Sequence, residues 1–259
     1  MSLEGRFVWY DLMTGDPQRA VDFYTGLVGW GTEQWQGEQV PYTMWTREGK
    51  PLGGVMELPE EARAAGAPPH WLGYVGVADV DATVEKVTAA GGKVWVAPTD
   101  IATVGRFAVF GDPQGAVLAA FTPAGDMPGH EGPPRVQDFS WHELMTRDHA
   151  AAFDFYAGLF GWERGEAMDM GPAGIYQLYR TGDLPLGGMF NAPPEMGGMS
   201  AWLYYVRVPD AREAAGRVEP LGGKVLHGPM EVPGGDHIVQ CADPTGAMFA
   251  LHSSVRAEG

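Results

Sequence analysis

Phe7 to Trp30 reads FVWYDLMTGDPQRAVDFYTGLVGW, and Phe139 to Trp162 reads FSWHELMTRDHAAAFDFYAGLFGW. The two stretches align without a gap and agree at most positions. Self-similarity of this kind decides the architecture before any single element does. Working outward, Pro51-Leu52-Gly53-Gly54 recurs as Pro185-Leu186-Gly187-Gly188, and Gly91-Gly92-Lys93-Val94 recurs as Gly222-Gly223-Lys224-Val225. Asp112-Pro113-Gln114-Gly115-Ala116 recurs as Asp243-Pro244-Thr245-Gly246-Ala247. Four anchors in one order make the chain a duplication, with copies over 5–122 and 137–254. A Pro/Gly-rich linker without periodicity fills 123–136.

Each copy carries the same coarse pattern. Residues 7–13 alternate as a strand does. Asp16-Pro17 fits a helix N-cap followed by proline at the first helical position. Ala20, Val21, Phe23, Tyr24, Leu27 and Val28 then fall at helical spacing, with Gly29 near the stop. Short strands are predicted near 30–35, 42–47 and 51–56. A second round gives a strand at 71–77, a helix from Asp81 to Ala90, and strands near 93–96, 106–110 and 116–122. The order is βαβββ twice per copy, an α+β chain.

Composition narrows the function. The 259 residues are 45% hydrophobic and 19% charged, enough for packed cores, and the formal net charge is -16. Such a surface repels phosphate backbones and anionic membranes, so nucleic acid and membrane are not expected partners. The single cysteine, Cys241, rules out an internal disulfide and multi-cysteine zinc motifs. No apolar run approaches the roughly 20 residues of a membrane span, and the N-terminus lacks a signal core, which points to a cytoplasmic protein.

The order of elements, the opening Gly15-Asp16-Pro17-Gln18-Arg19-Ala20-Val21-Asp22-Phe23-Tyr24, the helix end Ala89-Ala90-Gly91-Gly92 and the turn Asp112-Pro113-Gln114-Gly115 together resemble the vicinal-oxygen-chelate superfamily. That superfamily includes glyoxalase I, bleomycin- and fosfomycin-resistance proteins and extradiol dioxygenases. The tandem arrangement is most similar to bacterial glyoxalase-like proteins labelled as hydroxylases. The resemblance implies two tandem glyoxalase-like domains, each a pair of βαβββ modules forming a curved mixed sheet around a cleft. A fused pair of domains suits a monomer, and the cleft suits a small-molecule ligand.

In metal-dependent members, His, Gln or Glu ligands project from four strand positions onto a divalent ion. Carried over residue by residue, those positions fall on Trp9 and Trp141, Gly54 and Gly188, Leu72 and Leu203, and Ala119 and Ala250. None is a ligand type, so no metal and no other cofactor is expected.

Strand alternation places Asp11 beside Trp9 and Glu143 beside Trp141 on the cleft face. A carboxylate there is a solvated or paired structural group, or else a general base or hydrogen-bond acceptor. Trp9, Tyr74 and Phe121 would line the first cleft, and Trp141 and Tyr205 the second. Arg207 and His252 stand where the first copy has Gly76 and Phe121. Glu143, Arg207 and His252 together could hold an anionic oxygenated substrate. The candidate catalytic set is therefore Asp11, Glu143 and His252. His142 reads as structural, and His70, His130, His149 and His237 as loop or helix-start residues. The Pro-Leu-Gly-Gly motifs read as strand turns or close backbone approaches. Buried free cysteine is common, so Cys241 is not expected to act as a nucleophile.

Two functions fit these residues. One is a protein that binds a small apolar or aromatic metabolite or drug in its clefts without a metal. The other is a lyase, isomerase or oxygenase-type enzyme working on a small oxygenated metabolite by carboxylate acid–base chemistry. An inert module with vestigial sites is the third.

Overall fold

The computed structural model describes residues 3–35, 41–125, 127 and 132–254. His130 lies outside the described residues.

The first copy contains β1 (Phe7–Thr14), α1 (Pro17–Leu27), β2 (Gly31–Gln34), β3 (Thr43–Arg47) and β4 (Lys50–Glu57). It continues with α2 (Glu60–Ala64), β5 (His70–Gly76), α3 (Val80–Ala89), β6 (Lys93–Ile101), β7 (Gly105–Gly111) and β8 (Val117–Pro123). The second copy repeats the order with β9 (Phe139–Thr146), α4 (His149–Phe160), β10 (Glu163–Asp169), β11 (Ile175–Thr181) and β12 (Leu184–Asn191). It ends with β13 (Ala201–Arg207), α5 (Ala211–Val218), β14 (Lys224–Glu231), β15 (His237–Ala242) and β16 (Met248–Ser253).

Each copy's strands form one eight-stranded mixed sheet, in the order β2-β3-β4-β1-β5-β8-β7-β6 for the first and β10-β11-β12-β9-β13-β16-β15-β14 for the second. The βαβββ reading and the α+β class hold throughout. The short α2 has no counterpart in the predicted pattern. β6 runs well past the predicted 93–96, because irregular register lets an exposed strand containing Pro98 stay paired with β7.

Helix starts follow the local chemistry. Asp16 accepts from the Arg19 backbone N–H at 3.1 Å, with Pro17 next. Asp148 accepts from the N–H groups of Ala150 and Ala151. Capping of this kind satisfies donors that the first helical turn leaves open.

The compact units of the chain do not coincide with its repeat. One unit is Met1–Trp9, Gly73–Pro133 and Trp141–Leu203, and the other is Tyr10–Leu72, Pro134–Ser140 and Tyr204–Gly259. Each unit thus takes material from both copies. Inside each, the sequence motifs meet across the repeat. Tyr24 of α1 donates to Asp243 at 3.3 Å and accepts from Trp71 Nε1 at 2.9 Å. In the other unit Tyr156 of α4 donates to Asp112 at 3.0 Å and accepts from Trp202 Nε1 at 3.2 Å. The Phe-Tyr helix and the Asp-Pro-x-Gly turn therefore recur because they pair with each other. Asp112 also takes the N–H groups of Gln114 and Ala116. Burial, partly offset by these donors, raises its carboxyl above the ordinary range. Aromatic cores surround both tyrosines: Trp30, Trp45 and Trp71 about Tyr24, and Trp162 and Trp202 about Tyr156.

Among the described residues, no helix is long and apolar enough to cross a membrane.

Candidate functional site

β1 and β9 have identical burial patterns, with Trp9 and Trp141 half-buried and Asp11 and Glu143 buried. A buried carboxylate needs a donor. In the first copy it is Tyr42, whose hydroxyl donates to Asp11 Oδ1 at 2.5 Å. In the second it is Tyr176, which donates to Glu143 Oε2 at 2.8 Å. Tyr176 also accepts from Trp141 Nε1 at 2.8 Å, so tryptophan, phenol and carboxylate form a relay in one unit. Both predicted members of that pair, Trp141 and Glu143, are brought together through a residue that the sequence pattern does not single out.

The repeated Gly-Gly pairs explain how the tyrosines fit. Asp11 stands opposite Gly54 in the parallel β1–β4 ladder, and Glu143 stands opposite Gly188 between β9 and β12. A Cβ on Gly54 would run into the Tyr42 ring, and one on Gly188 into the Tyr176 ring. A Cβ on Gly53 would strike the Tyr10 carbonyl, and one on Gly187 the His142 carbonyl. The motif lies inside a strand and serves close approach. The alternative reading of it as a turn is corrected: both glycines pair in the ladder.

The positions that the family resemblance would assign to metal ligands hold Trp9, Gly54, Leu72 and Ala119 in one copy and Trp141, Gly188, Leu203 and Ala250 in the other, none of them a ligand type. Among the described residues, no group of three or more His, Cys, Asp or Glu is placed to hold a metal ion. The residues present do not fit the family's metal, because the place beside each carboxylate is filled by a tyrosine ring.

The second modules hold the remaining candidates. Tyr74 and Phe121 are buried, with the Tyr74 ring 6.2 Å from Phe107. Tyr205 is buried and its hydroxyl accepts from Gln240 at 3.3 Å. Arg207 and His252 are opposite each other on β13 and β16, at the places of Gly76 and Phe121, and they belong to a different compact unit from Glu143. Arg207 Nη1 donates to the Pro134 carbonyl at 2.6 Å. His252 joins Ser140 through Nδ1 at 2.9 Å and Asp236 through Nε2 at 2.9 Å. Neither Ser140 nor Asp236 is among the residues expected from sequence. Their counterparts are Val8 and Gly105, so the polar relay belongs to the second copy alone.

His142 is buried, stacks on Phe7 at 3.8 Å, and bonds the Leu186 carbonyl through Nδ1 at 2.7 Å. Burial lowers its pKa to about 3, which makes it a neutral structural residue. His149 opens α4, but His70 opens β5 and His237 opens β15, so the loop assignment of those two is corrected. Their strands extend to the ladder edge of neighbours that the sequence alone does not reveal. Cys241 is buried in β15 with its thiol pushed up to about 12, which leaves no thiolate for nucleophilic work.

Known proteins carry the same organisation. The Glyoxalase/Bleomycin resistance protein/Dioxygenase superfamily model matches residues 6–119 and again 138–251. A Mycobacterium tuberculosis protein named "Putative glyoxylase CFP32" is 32% identical over 251 residues, covering 94% of this chain and 92% of the relative. The "Anthracycline biosynthesis protein DnrV" of Streptomyces peucetius is 32% identical over 263 residues, covering 95% and 92%. In fold, the Mn(II)-bound glyoxalase of Novosphingobium aromaticivorans matches with TM-score 0.63 at 17% identity, covering 98% of this chain and 83% of that one. A 2,2',3-trihydroxybiphenyl 1,2-dioxygenase of Sphingomonas wittichii matches at 0.67 and 13% identity, covering 96% and 89%. Two matches of the family model and relatives spanning nearly the whole chain make this a tandem-domain member of the glyoxalase/bleomycin-resistance/dioxygenase superfamily.

Proposed function

We propose that this protein binds a small oxygenated aromatic molecule at its tyrosine–carboxylate pairs, without the metal site of its superfamily. The observation that carries the reading is Tyr176, seated over Gly188 with its hydroxyl between Trp141 Nε1 and the Glu143 carboxylate. The relay sets a half-buried indole face beside a fixed polar corner, a combination that suits a flat ring bearing hydroxyl or carbonyl oxygen. The relatives named for anthracycline biosynthesis support the same substrate class, since an anthracycline is a fused aromatic ring system carrying such oxygens. The acidic net charge adds a preference for neutral or cationic ligands.

The same pair supplies what proton transfer requires, a carboxylate hydrogen-bonded to a phenol. An acid–base enzyme of the superfamily is therefore the second reading, with Glu143 as base and Tyr176 as the group that orients it.

Titration with 1,8-dihydroxyanthraquinone, followed by tryptophan fluorescence, tests the binding reading. Saturable quenching is expected in the wild type. Tyr176→Phe and Glu143→Gln should weaken it about tenfold, the worth of one charge-assisted hydrogen bond. Equal affinity in both variants would remove the relay from the site. Consumption of the probe that depends on Glu143 would favour the enzyme.

A further inference from the structure

The internal repeat gives a control for every position, and one place stands out. In the first copy Arg106 on β7 bridges Asp81 of α3, at 2.7 and 3.0 Å, and Asp100 of β6, at 2.9 Å. Helix and hairpin are closed by a carboxylate–guanidinium–carboxylate bridge. The second copy has the same frame. Glu231 pairs with His237 as Asp100 pairs with Arg106, and Ser253 pairs with His237 as Thr122 pairs with Arg106. Arg212 follows its N-cap Asp210 as Asp81 follows Asp79. The charges are permuted: Arg212 replaces Asp81, His237 replaces Arg106 and Glu231 replaces Asp100.

The bridge does not re-form. Arg212 turns to Asp210, with Nε at 3.4 Å and Nη2 at 3.2 Å, and its Nη1 has no partner among the described residues. Among the described residues, neither the Glu231 carboxylate nor the His237 ring has a partner. A cavity of about 410 Å³ opens between α5 and the β14–β15 hairpin, lined by Asp210, Arg212, Glu231, His237, Ser253 and Ser254 among others. Two of the wall's polar atoms are already fixed. Ser253 Oγ accepts from the Ala211 N–H at 3.0 Å, and Ser254 Oγ donates to Asp236 at 3.3 Å.

We propose that this cavity is a second ligand site, and that its ligand is a small zwitterion of the α-amino acid type. The charges select that class. A bare anion meets Arg212 but also Glu231, within a protein of net charge -16. A bare cation meets Glu231 but also the Arg212 guanidinium. A zwitterion satisfies both: its carboxylate takes the open Arg212 N–H groups, and its ammonium donates to Glu231 and to a ring nitrogen of His237. The volume falls in the range of small-molecule sites. The ligand restores the three-way charge bridge that Arg106 makes in the first copy.

The His237 ring resonances in a carbon–proton correlation spectrum report on the site, with His70 and His149 as internal controls. L-alanine should shift His237 saturably at millimolar concentration and leave the controls in place. Propionate and ethylamine, each lacking one charge, should bind at least about tenfold more weakly. Glu231→Gln and Arg212→Ala should each abolish the L-alanine shift, and both side chains are exposed enough to be replaced without unfolding the chain. The proposal is overturned if the L-alanine shift is absent or fails to saturate, if propionate or ethylamine matches it, or if it survives in either variant. None of these outcomes bears on the anthraquinone titration, so the two sites stand or fall separately.

Discussion

The first modules of the two copies agree, and the second modules do not. Asp11 with Tyr42 over Gly54 is repeated as Glu143 with Tyr176 over Gly188. The second modules diverge: Phe121 and Gly105 give way to His252 and Asp236, with Val8 of β1 changed to Ser140 of β9 to match, and a closed Arg106 bridge gives way to an open cavity. The difference separates what the fold requires from what one copy adds. A tyrosine over glycine that recurs in both copies belongs to the architecture of the site. Polar groups found in only one copy are where the halves have taken separate roles.

The sharpest way to break the agreement is at the glycines. Gly53→Ala and Gly187→Ala each drive a Cβ into a backbone carbonyl that cannot swing aside. Each should cost about 3 kcal/mol or more, seen as a large drop in the midpoint of chemical unfolding. A tolerant response at either position would mean that β1–β4 or β9–β12 sits farther apart than described.

Next comes acid. His142 has its pKa depressed to about 3 in the folded chain, against an ordinary value near 6.5. Between these values the unfolded chain binds the extra proton, so stability is full above pH 6.5 and falls as pH drops toward 3. The loss should approach about 1.4 kcal/mol per pH unit from this residue. His142→Tyr, which installs the first copy's Tyr10, should flatten that slope. An unchanged slope would mean that His142 is protonated while folded.

Tyr24→Phe and Tyr156→Phe should each cost about 1–2 kcal/mol by leaving Asp243 or Asp112 one donor short, and the two costs should match. Unequal melting shifts would show that the two relays are not equivalent. Smallest of all, Arg106→Ala should leave the melting temperature essentially unchanged, because its two ion pairs are solvent-exposed.

Much of this was legible in the sequence. The duplication fixed the order of elements, because strand alternation, helix caps and glycine stops are local signals. That Trp9, Gly54, Leu72 and Ala119 carry no coordinating atom is read from residue type alone. Tyr42 and Tyr176 were missed for a physical reason. Each reaches its carboxylate across a strand ladder whose register no local pattern shows. A signal did exist, since both tyrosines precede a Pro-Leu-Gly-Gly motif at the same spacing once the copies are aligned. Asp236 and Ser140 gave no signal at all, because their shared partner His252 is distant in sequence from Ser140 and the counterparts are apolar.

The central claim of the proposed function is that the tyrosine–carboxylate pairs work without a metal. Electron paramagnetic resonance of Mn(II) titrated into the protein tests it directly. The signal of the free hydrated ion should stay at full intensity with protein in excess. A stoichiometric loss of that signal, reversed by Glu143→Gln or by Asp11→Asn, would show that the carboxylates bind metal after all and would contradict the account.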